Sequence, residues 1–262
     1  MMIPVRNEKE IECMRESNRR LGIMLDELTD LIKPGVTTAY LNEQAEKLIE
    51  KLGGKPNFLN YEGFPASICT SVNDEVVHGI PSKDRVLKDG EIVSIDAGIL
   101  LNGWHSDAAR TVGVGDISPE CELLIKNTRS AFFAAMKAAK AGNRLYDISN
   151  AVASYIDETG MDYGIVRELT GHGIGRDMHE NPMIPNYHKR FRGPKLRSGN
   201  TLAIEPMISM RNPEIVILED DWTVVTTDGS WAAHYENTIL ITPDGAPEIL
   251  SLGPEERKEL GL

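Results

Sequence analysis

Five residues in this sequence, Asp96, Asp107, His172, Glu205 and Glu236, have the types and settings needed to hold two divalent metal ions. Asp96 follows the apolar run Ile92-Val93-Ser94-Ile95, and Glu205 follows Thr201-Leu202-Ala203-Ile204, so each acid is expected to close a buried strand. An ionised carboxylate in such a place is costly unless it is paired, hydrogen-bonded or bound to metal. His172 stands in Gly171-His172-Gly173-Ile174-Gly175, where the glycines let backbones approach and leave the imidazole clear. Four carboxylates and one imidazole make an oxygen-dominated ligand set, better suited to a pair of Mn(II), Fe(II), Co(II) or Zn(II) ions than to one structural zinc. Carboxylates bridge, so two ions about 3.5–4 Å apart can share them, acidify a water and polarise a carbonyl. Such a pair can also hold a free amine. The chemistry is then hydrolysis of an amide beside an N-terminus.

The elements that must position these residues occur twice. A helical stripe over residues 8–32 carries Ile11, Met14, Leu21, Met24, Leu25, Leu28 and Leu31. After the Lys33-Pro34-Gly35 break, Thr37 or Thr38 can cap a second helix that runs to Gly53. Short β-like runs follow at 66–74, 91–100 and 109–115. Ser118-Pro119-Glu120 then reads as an N-cap, an N1 proline and a first-turn acid, opening a helix toward Ala141; another helix is expected over 146–159. The stretch from Lys33 can be laid on that from Lys140, and Gly90-Glu91-Ile92-Val93 on Gly199-Asn200-Thr201-Leu202. This register sets Asp96 against Glu205. With two residues inserted, the stretch from Gly103 falls on that from Ser230 and sets Asp107 against Glu236. The expectation is a single catalytic domain, residues 1–262, in which one α/β unit is used twice, over roughly 1–117 and 118–262. The acids from the two halves would meet in a cleft between them. His172 has no counterpart in the first half.

Composition narrows the surroundings. The 262 residues are 41% hydrophobic and 26% charged, with a formal charge of -12, which disfavours broad, nonspecific nucleic-acid binding. Three scattered cysteines, Cys13, Cys69 and Cys121, suggest neither a disulfide framework nor a zinc knuckle. The N-terminus turns charged at once, and no apolar run approaches the ~18 residues that span a bilayer, so a cytoplasmic, membrane-free protein is expected. Residues 188–197 break the acidic pattern with Lys189, Arg190, Arg192, Lys195 and Arg197. A solvated loop is the plain explanation, and docking on the ribosome the functional one. His105, His188 and His234 carry no pattern that marks them out.

Five segments together resemble the type I methionine aminopeptidases: residues 60–82, 92–115, 171–187, 202–208 and 232–242, with His-Gly-Ile-Pro, Asp-Ala-Gly, Gly-His-Gly-Ile-Gly, Glu-Pro and His-Tyr-Glu-Asn-Thr in that order. The resemblance spans nearly the whole chain. It implies an α+β pita-bread fold, shared with aminopeptidase P, prolidase and creatinase, in which two pseudo-symmetric α/β halves curve an antiparallel sheet around the site and carry their helices outside. It implies removal of N-terminal methionine from nascent peptides with a small second residue, by a monomer. Asp96, Asp107, His172, Glu205 and Glu236 would hold the two ions, Asp107 and Glu236 bridging, and Glu205 would also be the general base. His179 would stabilise the oxyanion and His78 contact the scissile amide or the second residue. Tyr61, Phe64, Cys69 and Trp222 would line the methionine pocket, with Met178 standing where many relatives have an aromatic. Only thirty residues separate Glu205 from Glu236, which leaves no room for the helical insert of type II enzymes. The alternatives are another pita-bread hydrolase acting on X-Pro bonds and a non-catalytic binding module of the same fold.

Overall fold

The computed structural model describes residues 3–262. Helix α1 (Glu8–Thr29) opens at Asn7, whose side chain accepts from the Glu10 amide while Glu10 accepts from that of Asn7, a capping box. Thr37 caps α2 (Thr38–Lys51), and Ser118 caps α3 (Pro119–Ala138), whose first turn tolerates the proline because its missing N–H has no helical partner there. In α4 (Leu145–Glu158) the carboxylate of Asp147 accepts from the Arg144 amide. The expected helices are therefore present, with ends displaced by a few residues. A fifth helix, α5 (Pro254–Leu260), went unanticipated because seven residues are too few to show a periodic stripe.

The strand Ile92–Leu101 is the spine of the first half. Trp104–Gly113 pairs along its full length on one edge, and Ile68–Val72 and Lys55–Pro56 pair on the other, all antiparallel. Leu21, Leu25 and Leu28 of α1 and Leu41 and Ile49 of α2 cover it, against Ile68, Val93, Ile95 and Ile99. In the second half, Glu248–Ile249, Asn237–Leu240, Thr201–Ile204, Gly171–Gly173 and Glu180–Ile184 form one sheet in that order. Ala232–His234, Met207–Ser209 and Gly164–Ile165 form another. Phe132 of α3 and Ile148 and Val152 of α4 pack on Leu202, Ile204, Ile208, Ala233 and Ile239. Two helices on antiparallel strands thus recur in both halves. A fourth sheet joins Ile215–Ile217 and Val224–Thr226 to Glu75–Val77.

One expectation needs correcting. Asp96 does not close its strand: Ala97, Gly98 and Ile99 go on pairing, so the carboxylate projects from mid-strand. Glu205 does close its strand, because Pro206 lacks the N–H that would extend the ladder.

The halves are stitched together along Trp104–Gly113. Ala109 and Glu236 exchange backbone hydrogen bonds, at 3.3 Å from the Ala109 amide and 3.0 Å from that of Glu236. On either side the strands diverge and threonines bridge the gap. The Thr238 hydroxyl accepts from the Asp107 amide (3.2 Å) and donates to the Asp107 carbonyl (2.9 Å). The Thr111 hydroxyl accepts from the His234 amide (2.8 Å) and donates to its carbonyl (2.9 Å). Arg110, 8% exposed, backs the joint. Its Nη1 donates to the carbonyls of Glu236 (2.6 Å) and Ala109 (2.8 Å), its Nη2 to Asn237 Oδ1 (2.8 Å), and its Nε to Glu256 of α5 (2.8 Å).

Candidate metal centre and active site

Each acid reaches the cleft from an element of known register. Asp96 lies between Cys69 on one neighbouring strand and Ala109 on the other. Asp107 lies opposite Gly98, where a Cβ would sit 2.5 Å from the Ser106 carbonyl, too close for any side chain. His172 pairs with Met183 and Ala203. The glycines around it are there for backbone approach: a Cβ on Gly171 would meet the Ala203 carbonyl at 2.5 Å, and one on Gly173 the Asn181 carbonyl at 2.3 Å.

Three overlapping groups have ligand atoms within 4.8 Å of one another: Asp96, Asp107 and Glu236; His172, Glu205 and Glu236; and Asp107, His172 and His179. The first two groups contain all five residues singled out above. His172 donates from Nδ1 to the Gly173 carbonyl (2.9 Å), which leaves Nε2 unprotonated, 3.8 Å from Asp107 and 3.6 Å from Glu205. This is how a protein presents an imidazole to a metal. Burial holds His172 neutral, its pKa lowered to about 3.

The carboxylates behave as a crowd without a counter-charge. Burial pushes Asp96 up to about 7. Burial, then repulsion from neighbouring acids, pushes Asp107, Glu205 and Glu236 well above the usual carboxylate range. Asp96 Oδ1, Asp107 Oδ1 and Glu236 Oε1 are buried with no hydrogen-bond partner. Buried anionic oxygens left unpaired at one point fit divalent cations, and only such charges offset four carboxylates at neutral pH.

The acids line the wall of a cavity of about 140 Å³ together with Phe58, Tyr61, Glu62, Phe64, Cys69, His78, His172, Met178, His179 and Trp222. Phe58, Phe64, Cys69 and Met178 are buried and pack with Tyr61 and Trp222, giving one end of it an apolar lining. The Phe64 and Trp222 rings meet edge-to-face at 5.1 Å. All eleven residues of the expected site therefore come together. A larger cavity, about 270 Å³, lies between the joint and helices α1, α3 and α5. There Arg110 and Arg129 face Glu256, and Arg129 also Glu259, so these acids already meet opposite charges.

His179 is placed by the Tyr61 hydroxyl, 2.9 Å from Nδ1, and by His172, whose ring it meets edge-on at 4.4 Å. With the hydroxyl donating to Nδ1, Nε2 carries the proton and can donate. His78 holds a left-handed backbone (φ 60°), the kind of strain a functional position retains, and burial lowers its pKa to about 4. Two lining residues, Phe58 and Glu62, were not singled out in the sequence, and His234, set aside there as unremarkable, lies beside the acids. The His234 Nε2 lies 3.7 Å from Glu205 and 3.8 Å from Glu236, fully buried, with neither ring nitrogen hydrogen-bonded among the described residues. Its place two residues before Glu236 on the same side of a broken strand was the available hint. His105, by contrast, is taken up by Asn57 at 2.9 Å.

The chain matches the model of metallopeptidase family M24 over residues 12–243. It is 52% identical over 251 residues to a methionine aminopeptidase of Clostridium acetobutylicum, covering 96% of this chain and 99% of that one. The crystal structure of methionine aminopeptidase from Thermotoga maritima superposes with a TM-score of 0.92 at 42% identity, over 95% of this chain and 99% of the other. Prolidase from Pyrococcus furiosus, at 24% identity, shares the fold with a TM-score of 0.74, this chain covering 65% of it.

Proposed function

The chain belongs to metallopeptidase family M24, and from that premise we propose that it cleaves N-terminal methionine from nascent peptides whose second residue is small, with two divalent ions held by Asp96, Asp107, His172, Glu205 and Glu236. Metal-dependent aminopeptidase chemistry is common ground with its near relatives; the residue roles, the number of ions and their identity (Co, Mn, Fe or Zn) are our reading. The observation that carries it is the set of unpartnered, buried carboxylate oxygens converging in one cavity with an apolar cluster in its wall.

When bound, the ions would supply Lewis acidity for acidifying a water and polarising the scissile carbonyl. Asp107 and Glu236, whose carboxylates come together beside the joint, would help hold them. Glu205, at the end of its strand, would take a proton from the attacking water and pass it to the departing amine. His179 Nε2, oriented through Tyr61, would donate to the carbonyl oxygen as it gains charge. His78 would contact the scissile amide or the residue beyond it. Phe64, Cys69, Trp222 and Tyr61 would enclose the methionine side chain, for which Met178 adds a flexible, polarisable wall.

We read residues 1–262 as one catalytic domain, acting as a cytoplasmic monomer. Among the described residues no helix is long and apolar enough to cross a membrane. With Mn(II) or Co(II) present, Met-Ala-Ser should lose its methionine while Ala-Pro peptides stay intact, and chelation should stop turnover. Cleavage of the proline peptide alone would return the reading to an X-Pro hydrolase; neither cleavage nor metal uptake would make it a binding module.

Docking at the ribosome forms a further part of the proposal and rests on the loop at 188–197. Arg192 is paired with Asp147 (2.6 Å) and Lys189 lies over the Tyr187 and Tyr146 rings, while Arg190 is exposed beside Phe191, itself 77% exposed. Charge reversal of Lys189, Arg190 and Arg192 is expected to weaken cosedimentation with ribosomes at low salt. Undiminished cosedimentation would remove the loop from the reading.

A further inference from the structure

One charged group in the cavity wall is left over once the metal ligands are assigned. The lining contains five carboxylates, Glu62, Asp96, Asp107, Glu205 and Glu236, and neither lysine nor arginine. Two divalent ions would balance the charge of the last four. Glu62 would then carry the site's only unbalanced charge.

Its placement is fixed rather than incidental. Glu62 is the middle residue of the turn Tyr61–Gly63 and holds a left-handed conformation (φ 50°, ψ 17°), a region in which a long side chain is uncommon. The turn is closed by the Phe64 amide on the Tyr61 carbonyl (2.9 Å) and the Asn60 amide on the Phe64 carbonyl (2.8 Å). Its neighbours are fully engaged: Tyr61 bonds His179, and Phe64 is buried against Trp222. Glu62 itself is exposed. Phe58, Phe64, Cys69 and Met178 are buried, so the exposed Glu62 marks where the cavity wall meets solvent. It is next in the chain to Tyr61, whose hydroxyl holds His179.

We propose that Glu62 makes this site select substrates with a basic residue just beyond the small second residue, and disfavour acidic ones. The inference rests on the aminopeptidase reading above. With methionine at the apolar end, the rest of the peptide leaves through the open end, past Glu62. The second residue is short, so the third is the first whose side chain can extend far enough to meet a carboxylate on the wall. Lysine or arginine there gains an attraction, and aspartate or glutamate meets a like charge. Because Glu62 is exposed, the preference must be modest and must shrink as salt screens it.

Three amidated peptides, Met-Ala-Lys-Gly, Met-Ala-Ser-Gly and Met-Ala-Glu-Gly, test this with the metal-loaded, full-length enzyme. At low salt, kcat/KM for the lysine peptide should exceed that for the glutamate peptide by about five- to tenfold, a factor of the size expected of one half-screened charge pair. Glu62→Gln should bring the ratio close to one, and Glu62→Lys should invert it. A ratio near one in the unaltered enzyme, or one that survives Glu62→Gln, overturns the inference. Failure to cleave even Met-Ala-Ser-Gly would instead overturn the aminopeptidase reading.

Discussion

Replacing Glu205 by glutamine should lower kcat by about 10²–10⁴-fold, the usual contribution of a positioned general base, while leaving the fold and at least one bound ion in place. Glutamine keeps the shape of the side chain and one oxygen able to ligate, but it cannot accept a proton near neutral pH. Glu205 is suited to both roles. Its carboxylate is 3.6 Å from His172 at one oxygen and 3.7 Å from His234 at the other, so the two oxygens face different partners. The backbone behind it is fixed, its carbonyl accepting from the Asn186 side chain at 2.9 Å. Metal content and circular dichroism should accompany the kinetics, because loss of ions would lower turnover for another reason. A metal-loaded variant that retains turnover within about threefold of the original would show that the proton goes elsewhere.

Metal removal should have the second large effect, and its pH dependence follows from the shifted groups. A carboxyl whose folded pKa is raised binds more protons folded than unfolded. Stability is then lost as pH rises from the unfolded value near 4 through the folded one, which for Asp96 is about 7 and for Asp107, Glu205 and Glu236 well above the ordinary range. Buried neutral histidines act in the opposite sense. His172 and His234, both lowered to about 3, and His78, lowered to about 4, make the folded state less stable at acid pH and cease to matter above about 6.5, where unfolded histidine is neutral too. Between about 6.5 and 8, below the range of the buried Cys69 thiol, the dependence therefore belongs to the acids. Over that interval, the metal-free protein should lose thermal stability as pH rises, while Mn(II) or Co(II) at a hundredfold excess over Kd should raise Tm by about 5–10 °C, and more at pH 8 than at pH 6.5. Scanning calorimetry with and without chelator at both pH values would check this. A Tm indifferent to metal, or a metal effect that shrinks with rising pH, would mean the four acids do not act as one site.

Most of the candidate site was legible in the chain because it depends on residue type and on strands that read as apolar runs. Asp96 and Glu205 could be matched across the halves since each follows such a run, and Gly-His-Gly announced a backbone contact that the Ala203 and Asn181 carbonyls supply. The position of Asp96 within its strand was misjudged. Ala97 and Gly98 look like a turn, and only pairing on both edges keeps them extended. His234 was set aside and Glu62 not singled out, for different reasons. His234 gains its place from the break at Tyr235-Glu236, an irregularity of the strand that no periodicity encodes. Glu62 becomes conspicuous only when the other charges in the cavity are known. Helix α5 and the Arg110–Glu256 pair depend on contacts between residues far apart in sequence, beyond the reach of local pattern.

The threonine-flanked joint between the halves limits how a substrate can arrive. Many enzymes with a site between two lobes open like a jaw, closing over their substrates by hinge motion. Here the segments that carry Asp107 and Glu236 are hydrogen-bonded directly to each other at Ala109, Thr111 and Thr238, with the buried Arg110 guanidinium locking the join from behind. Parting the lobes would tear the site itself. Entry must then use the opening that the cavity of about 140 Å³ already has, where the loose end of a chain fits more readily than its middle. A rigid joint of this kind makes the protein a reader of termini before any side chain is recognised.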